Sequence, residues 1–139
     1  MISFSNQETS FFLKNKLKIR GWIKSIVMGE GKKMGEIAYI FCTDEYLLSL
    51  NRQYLRHQTL TDIITFDYSE KSRVAGDIFI SIDRVKENSI KYSRSYNEEL
   101  ARVMAHGVLH LLGYKDKTET DKAAMRVKEE QYLVSNPNL

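Results

Sequence analysis

The chain has 139 residues, 42% of them hydrophobic and 28% charged, with a formal net charge of +3. That balance fits one globular domain spanning residues 1–139 and excludes both a disordered chain and the ~20-residue apolar run of a membrane-spanning helix. A single cysteine excludes an internal disulfide and points to a reducing cytoplasm, while the mildly basic charge permits a nucleic-acid partner without demanding one.

The first residues, Met1 to Ser5, read as a short extended start, with no cationic segment ahead of an apolar block, so no signal peptide is expected. From about Ser10 an amphipathic helix is expected, with Phe12, Leu13, Leu17, Trp22 and Ile23 as its buried stripe and Gly29 and Gly31 at its end. Lys14, Lys16, Lys18, Arg20 and Lys24 crowd this helix and read as its solvated face. Gly35 to Thr43 is a strand rich in branched and aromatic residues, in which Cys42 is a small core residue rather than a nucleophile. Thr43 caps a helix that opens with Asp44 and Glu45 and runs to about Arg56.

Thr61–Asp67 and Val74–Ile82 are two further strands joined by the polar stretch from Tyr68 to Arg73, a hairpin loop. Asp83 opens a polar helix to about Tyr92. Ser95 with Glu98, and Thr118 with Asp121, carry the spacing of helix N-caps for the two helices that follow, the last ending near Leu133. Strand, helix, strand, helix, strand, strand and three helices give an α+β, three-layer α/β-like domain. A small mixed four-stranded sheet is covered by about five helices.

The penultimate helix carries the chemistry. His106 and His110 are four residues apart, so on a helix both imidazoles share one face about a turn apart. Between Val103 and Leu112 every other residue is apolar or glycine, which marks a central, buried helix whose two polar side chains need partners. Gly113 stops the helix and lets the chain turn back to present Asp116. Two imidazoles, one carboxylate and a place for water describe a catalytic rather than a structural zinc site, although the donor types would also suit other divalent metals. A metalloprotease helix would carry a glutamate after its first histidine; here that residue is Gly107, so the protease reading lacks its base. The glycine leaves room for substrate or for close packing against the sheet.

The run HGVLHLLGY resembles the signature of the YbeY family of bacterial rRNA maturation factors. Leu50-Asn51-Arg52-Gln53-Tyr54, the segment Thr61-Asp62-Ile63-Ile64-Thr65-Phe66, and Gly76-Asp77-Ile78 are similar to that family's other motifs, in its order and spacing. The resemblance implies a cytoplasmic, zinc-dependent endoribonuclease specific for single strands, acting at the 3′ end of small-subunit rRNA and in ribosome quality control. The expected partners are RNA and the small ribosomal subunit, and the chain is expected to be monomeric with one zinc. His106, His110 and position 116 carry over as metal ligands. Two departures stand out: Asp116 occupies the place of a usual histidine, and Leu55 occupies that of a usual arginine, leaving the adjacent Arg56 as the candidate catalytic cation. His57 reads as an exposed loop residue. The competing reading is a non-catalytic ribosome-assembly factor whose metal braces the fold.

Overall fold

The computed structural model describes residues 1–55 and 61–137. Its strands are β1 (Ile2–Asn6), β2 (Lys33–Cys42), β3 (Ile63–Asp67) and β4 (Arg73–Ser81). Its helices are α1 (Lys16–Gly29), α2 (Asp44–Leu50), α3 (Ile82–Lys91), α4 (Tyr96–Leu111) and α5 (Glu119–Leu133), with a π-helical turn at Asn51–Leu55 continuing α2. The sheet order is β1-β2-β4-β3. β1, β2 and β4 are parallel and only β3 is antiparallel, so the expected mixed sheet and hairpin are both present.

Alternation sorts the sheet residues onto two faces. Ile37, Tyr39, Phe41, Ile78 and Ile80 point into the main core, where α1 and α4 lie on the sheet and α5 packs against α4. Cys42 and Ile64 face a smaller core under Leu47 and Leu50 of α2. The central position of α4 is visible in its burial: ten of its residues are buried, among them Met104, Ala105, Val108 and Leu109. The Tyr39 hydroxyl reaches up from the sheet and donates to the Met104 carbonyl at 2.8 Å, tying α4 to β2.

The first helix corrects the sequence expectation. It begins at Lys16, after Asn15 in a left-handed conformation (φ 58°), and not near Ser10. Residues 11–13 are non-helical, and their side chains alternate: Phe11 packs on Phe41, Leu13 is buried, and Phe12 points to solvent. From Lys16 onward the helical period takes over and buries Ile19, Trp22, Ile23, Ile26 and Val27, which puts Leu17 on the exposed side. Gly21 does not break the helix. At the other end of the sheet, Ile82 begins α3 rather than extending β4, because Ser81 turns its hydroxyl to accept the Arg84 N–H and caps the helix.

Candidate metal centre

The centre is assembled at the C-terminal half of α4. Gly107 lets that segment lie directly on the sheet: a Cβ there would sit 2.8 Å from Ile78 Cγ2 and 2.9 Å from Ile63 Cδ1. The glycine therefore serves close packing, the second of the two roles open to it. The helix stops in a paired set of hydrogen bonds, Gly113 N–H to the His110 carbonyl and Tyr114 N–H to the Leu109 carbonyl, with Gly113 at φ +104°. Only a residue free to adopt that positive φ closes the helix in this way. The turned-back chain then brings Asp116 over the two histidines.

Both imidazoles are oriented from behind. His106 Nδ1 donates to Glu129 Oε2 on α5 at 2.5 Å, and His110 Nδ1 donates to the Tyr114 carbonyl at 3.0 Å. Each ring is thereby left with Nε2 as a lone-pair donor. The two Nε2 atoms are 2.9 Å apart, and Asp116 Oδ2 lies 3.2 Å from one and 3.3 Å from the other. With both rings neutral in these tautomers, three lone pairs converge on one point, and a cation placed there would replace the proton that His106 otherwise tends to hold. Donors around a tetrahedral ion at zinc distances are separated by about 3.3–3.6 Å, so the triangle is close to the size a metal requires. His106, His110 and Asp116 can hold a metal ion, as the sequence spacing suggested.

The electrostatics are uneven. Burial alone would depress the His106 pKa, but the Glu129 hydrogen bond and charge, with Asp62 and Asp116, hold it above the usual histidine value. His110 is depressed, by burial and by the neighbouring His106. Glu129 is itself held by Arg102 Nη1 at 3.3 Å, and Arg102 also binds Glu130 at 2.7 Å.

Asp116 is 44% exposed at its side chain, so the centre opens to solvent on one side. It opens into a cleft of about 440 Å³ whose wall runs from Thr61 to Thr65 and includes Asn51 and Lys117. Asp62 lies in this wall just before β3, with its carboxyl raised by burial and by the Glu129 and Asp116 charges, against the opposing effect of His106. Of the other residues singled out from sequence, Arg56 and His57 lie outside the described residues. Cys42 is buried in the smaller core, with its thiol pushed up to about 12 by burial and nearby carboxylates, as befits a structural residue. Lys14, Lys16, Lys18 and Lys24 are exposed on or beside α1, a solvated face. Glu129 carries no signal in the sequence, since it sits among the charges of an amphipathic helix; Asp62 lies in the Thr61–Phe66 segment that resembles a family motif, but nothing in its spacing links it to the histidines.

This is a small α+β fold with an open, three-donor site able to hold a single divalent ion. The family model for endoribonuclease YbeY matches residues 2–136. The chain is 51% identical over 133 residues to an endoribonuclease YbeY of Flavobacterium psychrophilum, covering 96% of this chain and 94% of that one. It is 50% identical to a protein of the same name from Cytophaga hutchinsonii, with 95% and 93% of the two chains covered. The solution structure of the Thermotoga maritima protein TM1509 shares the fold with a TM-score of 0.67 at 24% identity, over 99% of this chain and 95% of that one. The chain belongs to the endoribonuclease YbeY family.

Proposed function

We propose that this protein is a zinc-dependent endoribonuclease of the cytoplasm that hydrolyses phosphodiester bonds in single-stranded RNA, with rRNA of the small ribosomal subunit as its substrate and one zinc per monomer. The observation that carries the reading is the convergence of three potential metal-donor atoms, His106 Nε2, His110 Nε2 and Asp116 Oδ2, at the mouth of an open cleft. A zinc ion bound there would supply a water of lowered pKa and a positive charge for a phosphate oxygen.

The chain's own residues do the rest. Glu129 and the Tyr114 carbonyl fix the two imidazole tautomers so that both Nε2 atoms face the ion. Asp62, in the wall of the same cleft, takes the proton from the attacking water, a task suited to a carboxylate made more basic by burial. Arg56 neutralises the charge that develops on the phosphate.

The test is elemental analysis together with cleavage of a labelled single-stranded RNA by the native protein and three variants. The native protein is expected to carry about one zinc per chain and to cut the RNA. His110→Ala and Asp116→Ala are expected to lose metal and cleavage while keeping their circular dichroism. Asp62→Asn is expected to keep the metal and lose turnover. Collapse of the fold in the ligand variants would sink the catalytic reading in favour of a metal that braces a ribosome-assembly factor.

A further inference from the structure

The metal donors also wall a second cleft. It measures about 260 Å³ and is lined by His106 and Asp116 again, but otherwise by α5 residues Lys122, Met125, Arg126 and Glu129. Because the two clefts share His106 and Asp116, they meet at the donor atoms. Lys122 and Arg126 are four residues apart and so project from one face of α5, both exposed to solvent.

These two cations are not engaged elsewhere. Arg126 forms no ion pair among the described residues, and Lys122 has only an exposed contact with Glu119 at 3.8 Å, which is worth little. The neighbouring cations of the same region are occupied: Lys128 binds Glu30 at 3.0 Å, and Arg102 binds Glu129 and Glu130. Glu129, the one acid in this lining besides Asp116, is neutralised by Arg102 and hydrogen-bonded to His106. The second cleft therefore offers two uncommitted positive charges directly beside the reacting centre, and the first cleft offers one more, Lys117, which is also free of ion pairs among the described residues.

We propose that Lys122 and Arg126 form a phosphate subsite for an RNA strand, so that the substrate crosses the metal centre from the cleft beside β3 into the cleft beside α5. The proposal rests on the reading of RNA as substrate. A polyanion bound on both sides of the scissile phosphate is held there by charge, independent of sequence. Lys122 and Arg126 contribute to strand binding and leave the chemical step unchanged.

The experiment measures the anisotropy of a fluorescein-labelled single-stranded RNA within seconds of mixing, across a range of salt concentrations, for the native protein and the variant Lys122→Gln/Arg126→Gln. Lys18→Gln/Lys24→Gln, two exposed positions of α1 that line neither cleft, controls for the loss of two charges. Each phosphate contact to a single strand contributes about 0.7 to the slope of log affinity against log salt. The double variant is expected to lose about 1.4 from that slope and to bind roughly tenfold more weakly near physiological salt. In the cleavage assay KM rises and kcat holds. A slope and affinity equal to the native values, or a native protein that binds no RNA, would overturn the subsite. A native protein that binds RNA with the expected slope but never cuts it would leave the subsite standing and refute the nuclease reading instead.

Discussion

His106 is held at both ring nitrogens, by Asp116 and His110 in front and by Glu129 behind. Removing such a rear partner of a metal-bound imidazole lowers metal affinity by about 10–100-fold. Glu129→Ala is expected to fall in that range, measured by competition with a chromophoric chelator. Glu129→Gln is expected to recover part of the loss, because its amide oxygen can still accept from Nδ1. Equal affinity in all three proteins would show that Glu129 does not orient the ligand. The contrast between ligand and support explains what the sequence revealed. His106, His110 and Asp116 lie within eleven residues and obey helical spacing followed by a glycine stop. Glu129 lies twenty-three residues beyond His106 and meets it only because α5 packs on α4. Asp62 likewise reaches the centre through the seating of β3.

At the scale of the element, the depth of α4 against the sheet decides where the donors stand. Gly107→Ala would force a methyl group into Ile78 and Ile63, and overpacking of this kind costs about 1–3 kcal/mol, offset in part by the ~1 kcal/mol better helix propensity of alanine. Gly21→Ala on α1 meets nothing within 4 Å and should show only the stabilising propensity gain. Urea denaturation of the pair checks both: a lower midpoint for the first and a higher one for the second. Stabilisation by both would mean that α4 is not tightly seated. Element type and order were readable because caps, branched strands and apolar periods agree with one another. The start of α1 departs from the sequence pattern for a local reason: Phe11-Phe12-Leu13 is uniformly apolar, and only the fold shows that its side chains alternate between the core and solvent.

At the scale of the molecule, one carboxylate joins three distant parts. Glu30, at the end of α1, accepts hydrogen bonds from Tyr114 at 2.6 Å, from Tyr132, and from Lys128 at 3.0 Å. Burial would raise the Glu30 pKa, but those donors outweigh it and hold the carboxyl below its ordinary value of 4.5. Its contribution to stability is therefore complete above about pH 4.5 and is lost as pH falls through the lower folded value. Tyr114 and Tyr132 are shifted upward, by burial and by Glu30, so their contribution is intact below their ordinary value of 10 and is lost as pH rises past it. Glu30→Gln is expected to destabilise by about 1–2 kcal/mol between roughly pH 5 and 9, with the gap to the native protein closing on either side. A gap that stays constant from pH 3 to 11 would contradict this. The same node anchors the ring of Tyr114, whose carbonyl orients His110, while α5 also supplies Glu129 behind His106. The aim of the three donor side chains thus depends on the docking of α5. A chain whose last helix has not docked possesses all three donor residues yet lacks the scaffold that aims them, and a metal centre built on them would stay disarmed until the tertiary structure is complete.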